Sequence, residues 1–196
     1  MNISEVPYNL NTLLNLNIKL MKKIRLTIAY IFLLASPLLA QVNGKLFPTI
    51  SGETMNDKVV KIPEDIKGKY SIIGLAYSRS AEDDLKTWIN PAYNTFINPN
   101  RAFSYDINMY FVPIFTGTTQ SLTSAAKKKV NAETDKEMQP HILFSEEKIR
   151  TLKKELAIED KDIPYFFVLD KEGKIIHSTS GRFSAKKMEE IEDKLE

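Results

Sequence analysis

The residue types that most often carry enzyme chemistry are scarce in this sequence of 196 residues. It contains no cysteine, which excludes disulfides, thiol catalysis, thiolate-bound zinc and iron–sulfur clusters, since each of them needs a cysteine sulfur. The two histidines, His141 and His177, lie far apart in the chain, so a His-rich metal site is not expected. The composition therefore predicts a protein that holds no metal ion and no cofactor.

One cluster of polar side chains follows directly after an apolar run, and it is the main place where chemistry is conceivable. Its members are Arg79, Ser80, Glu82, Asp83 and Asp84. A serine is a weak nucleophile unless a base activates it, and no histidine is close in sequence. Adjacent acids on a helix point in different directions, which argues against a catalytic carboxylate pair. Acids at the start of a helix also interact favourably with the helix dipole, which stabilises the helix by about 0.3–1 kcal/mol. Two interpretations stay open: an ordinary helix start, and a recognition surface built on Arg79.

The formal net charge of +2 comes from the beginning of the chain. Of the 27 basic and 25 acidic residues, four and one lie in residues 1–40, which leaves 23 and 24 in residues 41–196. A nearly neutral body has no electrostatic reason to bind nucleic acid. The single basic run, Lys127–Lys129, is interpreted as a solvated helix face.

Residues 21–40 have the order of a secretory signal peptide. Met21–Arg25 is cationic, Leu26–Ala35 is almost entirely apolar, and a helix-breaking Pro37 precedes the predicted cleavage after Ala40. The apolar run is shorter than the roughly 20 residues of a spanning helix. We therefore expect export to the periplasm or beyond, with contact to the membrane only if the signal is retained as an anchor. Residues 1–20 are interpreted as an over-extended start.

Residues 41–196 are predicted to form one domain in which strands alternate with helices. The periodicity predicts a hairpin within Phe47–Ile62 and strands at Tyr70–Tyr77, Ile107–Phe115, Tyr165–Leu169 and Lys174–Thr179. It predicts helices at Leu85–Ile97, Glu146–Ile158 and Ser184–Leu195, and a polar helical stretch within Thr116–Gln139. The first of these helices is expected to start at Ser80 or Asp83 and to be kinked by Pro91. The helical spacing places Trp88 in the core. Such alternation is typical of an α/β fold with a parallel strand pair and an antiparallel edge.

The stretch Ile163–Gly181 resembles the C-terminal part of thioredoxin-like proteins. Pro164, an apolar strand, Asp170, the turn glycine Gly173 and Gly181 all stand in that family's order. The resemblance implies a thioredoxin-like three-layer sandwich, with a mixed central sheet, a C-terminal β-hairpin and a final helix. It also implies a cis bond before Pro164, in a loop that faces the start of the first helix.

The sequence departs from that family where its redox cysteines would stand. Counting from the end of the first buried strand places the two positions at Ser80 and Asp83, and counting back from Pro91 places them at Asp83 and Lys86. Neither alignment contains a thiol. Redox activity is therefore excluded on chemical grounds.

A narrower set of motifs is similar to the mitochondrial ATP synthase assembly factor family. Ala81-Glu82 and Trp88-Ile89-Asn90-Pro91 carry this resemblance, together with the late strand–Asp–Gly–strand pattern. Members of that family are thioredoxin-like proteins thought to act by binding rather than by thiol chemistry.

These observations predict an exported, non-catalytic domain that binds a protein or peptide partner, in assembly or chaperoning in the cell envelope. An extended peptide would pair with free backbone groups before the proline, at the edge of the sheet. Tyr77, Tyr165 and Phe183 fall near strand or loop ends, and some of these three rings would flank the peptide; which of them stays open. The alternative is an enzyme of non-thiol chemistry at the former redox pocket. The candidate groove residues are Arg79, Ser80, Asp83, Ile163 and Pro164.

Overall fold

The computed structural model describes residues 42–100, 105–114, 134–145 and 149–195. The predicted signal peptide and most of the predicted helical stretch within Thr116–Gln139 lie outside these ranges. The strands and α-helices are β1 (Ile50–Thr54), β2 (Val59–Ile62), β3 (Tyr70–Ala76), α1 (Arg79–Ala92), β4 (Ile107–Pro113), β5 (Leu143–Ser145), α2 (Ile149–Glu155), β6 (Tyr165–Leu169), β7 (Ile175–Ser180) and α3 (Ala185–Glu192). No helix in the described ranges is both long and apolar enough to cross a membrane.

The main sheet has four strands in the order β4-β3-β6-β7. β3 and β4 run parallel, while β6 is antiparallel to both β3 and β7. This arrangement confirms the predicted parallel pair and the C-terminal hairpin. β6 is buried along its whole length, which explains why its sequence is continuously apolar rather than alternating.

Helices and a second sheet cover the two faces of the main sheet. One face carries Ile72, Phe166 and Val168, which pack with apolar residues of α1 and α3. The other face carries residues such as Leu75 and Phe167, which pack with α2 and with the second sheet. The result is the predicted three-layer sandwich.

The second sheet has three strands in the order β2-β1-β5. The predicted hairpin forms its β1–β2 part, whereas β5 was not predicted. Only three residues long, β5 lies antiparallel to β1, and Ser145 forms a parallel bridge with Ile114 just beyond β4. Gly52 permits this pairing, because a Cβ there would lie 2.5 Å from the carbonyl oxygen of Phe144.

The predicted start of α1 at Ser80 or Asp83 is wrong. Ser78 is the N-cap, and its hydroxyl accepts a hydrogen bond of 3.2 Å from the backbone N–H of Ala81. A serine two residues earlier can do this because its backbone is still extended when the strand has just ended. Near the other end, Pro91 lies inside the last turn, and a π-helix, Tyr93–Ile97, continues directly from α1.

The remaining C-terminal elements agree with prediction in position and differ in length. α2 ends at Glu155, three residues before the predicted end, because Ala157 adopts a left-handed conformation with φ of 52°. The turn before β7 is closed by the Asp170 carboxylate, which accepts the backbone N–H of Glu172 and Lys174. Ser184 caps α3 as predicted.

Candidate functional site

Three segments meet at one end of the main sheet. Leu75 near the end of β3 lies opposite Tyr165 at the start of β6. Because the two strands are antiparallel, the end of β3 and the residues before β6 leave the sheet side by side. α1 begins directly after β3, so the strand register alone brings the start of α1 near Ile163 and Pro164.

The α1 side of this site consists of exposed polar residues. Arg79, Ser80 and Asp83 are all exposed, as is Lys86. Ser80, Asp83 and Lys86 repeat at intervals of three residues, so both alignments of the lost cysteine positions fall on one exposed helix face. The Lys86 ammonium lies 3.7 Å from the Asp83 carboxylate, and such an exposed pair contributes little to stability.

Glu82 differs from the other acids at the start of α1. Partial burial raises the pKa of its carboxyl group, while the charges of Lys86 and Arg79 oppose that rise. Its backbone N–H donates to the Ser78 carbonyl oxygen. Glu82 therefore belongs to the helix start, whereas Arg79 and Asp83 face solvent.

The β6 side of the site contains Ile163 and Pro164. Pro164 is buried and Ile163 is half-buried. The expected cis bond before Pro164 is wrong: the bond is trans, and the cis peptide bond among the described residues is Ile62–Pro63. Trans is the intrinsically favoured isomer of an X–Pro bond. With the trans bond, the Pro164 carbonyl oxygen accepts a 2.8 Å hydrogen bond from the Gly181 backbone N–H.

The backbone of Ile163 is the feature that most distinguishes this site. Its carbonyl oxygen is hydrogen-bonded to no other described residue, while the turn over residues 161–162 brings its N–H toward the Asp160 carbonyl oxygen. β6 is an inner strand of the sheet, so the Ile163 backbone groups lie just before the start of a strand. The sequence had predicted a different position, along the edge of the sheet. A half-exposed residue with an unused backbone acceptor can accept a hydrogen bond from an extended chain.

A chain of hydrogen bonds fixes the two sides of the site relative to each other. Trp88 of α1 donates its indole N–H to the Gly181 carbonyl oxygen at 2.9 Å, and the Gly181 N–H in turn binds Pro164. The Phe183 backbone N–H donates to the Thr87 hydroxyl at 3.1 Å. Trp88 is in the core as predicted, but its positioning role was not foreseen, because Gly181 lies 93 residues away in sequence.

The three aromatic residues expected to flank the site have different positions. Tyr77 and Tyr165 are each 4 % exposed and belong to the cluster beneath the sheet face that contacts α2. Phe183 is half-buried and packs edge-on against Trp88, with ring centroids 5.4 Å apart. The rings of Tyr77 and Tyr165 therefore do not flank an open groove.

The described part of this site contains no serine paired with a base. Ser80 forms no hydrogen bond with a base among the described residues, and His141 is engaged with the Met109 carbonyl oxygen. His177 lies on β7, where burial lowers the pKa of its imidazole and Glu190 opposes that effect. No group of three metal-ligating side chains occurs in the described part of the chain.

Comparisons with known proteins bear on both the family and the fold. The ATP10 protein family matches residues 17–194, and a search of curated proteins gives no match. Similar solved structures include the thioredoxin domain of a thiol-disulfide oxidoreductase from Bacteroides vulgatus, with 16 % identity over 79 % of this chain and 98 % of that one and a TM-score of 0.52. A 2-Cys peroxiredoxin from Plasmodium vivax has 13 % identity over 78 % of this chain and 80 % of that one, with a TM-score of 0.50. At these identities the structures establish the thioredoxin-like fold alone, whereas the family match covers most of the chain. The chain therefore belongs to the ATP10 protein family and has a thioredoxin-like fold without a single cysteine.

Proposed function

We propose that this protein binds an extended segment of a partner protein at the end of the sheet where α1 begins, and that it catalyses no reaction. The observation that carries the proposal is the backbone carbonyl of Ile163, which no other described residue binds and which the strand register places near the start of α1. Main-chain hydrogen bonds to an extended peptide need no cysteine. A thioredoxin-like domain can therefore lose its thiols and keep a peptide-binding site.

The side chains around Ile163 fit such a role. Its half-buried side chain offers an apolar contact, and the exposed Arg79 offers a charge on the α1 side. The hydrogen bonds through Trp88 and Gly181 hold the two sides in place before a partner arrives. This part of the site, formed by α1, Gly181 and Pro164, is preorganised and loses less conformational entropy on binding.

The family and the N-terminal sequence support a proposal for the partner class and for the location of the protein. The ATP10 family match supports a partner that is being assembled into a larger complex, by analogy with the assembly factors whose motifs the chain shares. Residues 21–40 support an exported location, in the periplasm or beyond. The intact mass of the native protein tests this part: a chain that begins near Gln41 supports export, and full-length protein in the cytosol contradicts it.

The alternative of a non-thiol enzyme has no support in the geometry. An enzyme at this place needs a neighbouring group, such as Arg79 or Asp83, to activate the Ser80 hydroxyl. Ser80 is exposed, and its hydroxyl forms no hydrogen bond with a base in the described ranges. Assays of insulin-disulfide reduction and peroxide consumption should therefore match the blank. Activity that persists in a cleaned preparation and disappears in Ser80→Ala would reverse this conclusion.

Photo-cross-linking tests the binding site directly. Benzoylphenylalanine is introduced at position 163 in one variant and at position 59 in a control, since Val59 is an apolar residue that is 63 % exposed on the second sheet. After irradiation in native cells, mass spectrometry should identify a reproducible partner that is cross-linked to the probe at position 163. The probe at position 59 should not capture that partner. Cross-links that form equally from both positions would refute the proposed site.

A further inference from the structure

The segment between α2 and β6, residues 159–163, is attached to the domain by few contacts. Residues 159–162 are charged and exposed. The Asp160 backbone N–H donates to the Tyr165 hydroxyl at 3.0 Å, while the Asp162 N–H binds the Asp160 carboxylate within the segment itself. Among the described residues, the Tyr165 hydroxyl is the hydrogen-bond partner that the segment has outside itself. Ala157, just before the segment, has a left-handed backbone conformation that ends the helical path of α2.

An unsatisfied hydroxyl lies close to this attachment point. Tyr77 is 4 % exposed, and its hydroxyl has no hydrogen-bond partner in the described part of the chain. Burial raises the pKa of the Tyr77 phenol, and the neighbouring Tyr165 raises it further, so the group stays protonated. Tyr77 and Tyr165 belong to the apolar cluster on which the Ile163 side chain packs. A polar group buried without a partner destabilises the arrangement that buries it.

We propose that residues 159–163 form a strap that opens and closes over the Tyr77 and Tyr165 phenols, with the Tyr165 hydroxyl as its latch. Opening breaks the Asp160–Tyr165 hydrogen bond, which opposes the motion. It also lets water reach the Tyr77 hydroxyl, which favours the motion. The two effects are of similar size, because each concerns one hydrogen bond.

The strap has a consequence for the candidate site, although it does not depend on the proposed function. Ile163 is the last residue of the strap, so the position of its side chain and of its free carbonyl oxygen changes when the strap opens. The equilibrium belongs to the free protein and can be measured without a partner. A failure of the strap leaves the binding proposal standing, and the reverse is also true.

Two isosteric variants of the full-length protein separate the latch from the hydroxyl that favours opening. In Tyr165→Phe, hydrogen exchange at the Asp160 amide should become at least roughly fivefold faster, since its acceptor is gone. In Tyr77→Phe, exchange at the same amide should become roughly fivefold slower, since opening no longer hydrates a hydroxyl. The Phe167 amide in β6 serves as the reference for global unfolding. Unchanged exchange at Asp160 in Tyr77→Phe would overturn the proposal.

Chemical modification gives a second measurement that does not depend on comparing stabilities. Tetranitromethane nitrates accessible phenols, and peptide mapping by mass spectrometry resolves Tyr77 from the other tyrosines. If the strap opens, Tyr77 is nitrated faster than global unfolding allows, and faster still in Tyr165→Phe. If nitration of Tyr77 proceeds at the rate of global unfolding in both proteins, the strap does not exist.

Discussion

The replacement Trp88→Phe tests whether the indole of α1 positions the Pro164 side of the site. Trp88 is 1 % exposed and lies 4.1 Å, between ring centroids, from Phe166. Phenylalanine keeps this aromatic contact but removes the 2.9 Å hydrogen bond to the Gly181 carbonyl oxygen. The variant therefore isolates the link between α1 and the residues that hold Pro164.

The size of the effect follows from two losses. The lost hydrogen bond contributes about 0.5–1.5 kcal/mol. The smaller ring buries about 40 Å² less apolar surface, which at about 25 cal/mol per Å² amounts to about 1 kcal/mol. We expect the free energy of unfolding to fall by about 2 kcal/mol. Urea unfolding followed by far-UV circular dichroism is the suitable assay, because Trp88 is the single tryptophan and the variant has no indole fluorescence.

Hydrogen exchange locates the effect within the molecule. The Gly181 amide binds the Pro164 carbonyl oxygen, so its exchange should accelerate more than that of Lys174, whose amide is held by Asp170 in the turn before β7. An unfolding free energy within 0.5 kcal/mol of the unsubstituted protein, below the smallest loss considered, would refute the reasoning. Equal acceleration at Gly181 and Lys174 would show that Trp88 stabilises the fold without positioning the site.

Two further predictions concern stability and pH. In the urea titration, Gly173→Ala should lower the free energy of unfolding by about 2–4 kcal/mol, because Gly173 has φ of 86° and a Cβ there would lie 2.6 Å from Pro63. Gly44→Ala is the control, since Gly44 has φ of 82° but open space around it. This control should lower the free energy of unfolding by about 1 kcal/mol. Burial lowers the pKa of His141 and His177 below 6.5, so the unfolded chain binds more protons below about pH 6.5 and the free energy of unfolding should fall as pH decreases through this range. His177→Gln should reduce that slope, and an unchanged slope between pH 7.5 and pH 5 would contradict the assignment, since model histidines titrate near about 6.5.

The sequence predicted those parts of the fold in which local pattern and tertiary environment agree. β6 was placed at the residues where it is found, because a strand buried on both faces is apolar at every position. The turn at Asp170 and the cap at Ser184 were also predicted, since each depends on side chains within a few residues. The three-residue β5 was missed, because so short a strand exists only through its partners β1 and Ile114.

The candidate site was predicted in outline and not in detail. The closeness of Pro164 to the start of α1 was predicted only from the resemblance to thioredoxin-like proteins. The structure supplies the physical reason for it, which is the register that places Leu75 opposite Tyr165. The sequence predicted the wrong helix cap and the wrong isomer before Pro164, because Ser78 and Ser80 are equally good caps in isolation and a family pattern does not fix a peptide bond. The contact between Trp88 and Gly181 is long-range, so no local signal announces it.

The central claim is that a partner binds beside Ile163, and the most direct test is the affinity of the cross-linked partner for matched aspartate variants. Ile163→Asp should weaken binding roughly tenfold, since one apolar anchor contributes about 1–2 kcal/mol, while Val59→Asp on the exposed second sheet should bind as the unsubstituted protein does. Arg79→Glu should also weaken binding, with Arg150→Glu, another exposed arginine, as its control. Melting temperatures measured alongside should show that all four variants remain folded. Unchanged affinity in Ile163→Asp and Arg79→Glu, together with a loss in Val59→Asp, would contradict the account.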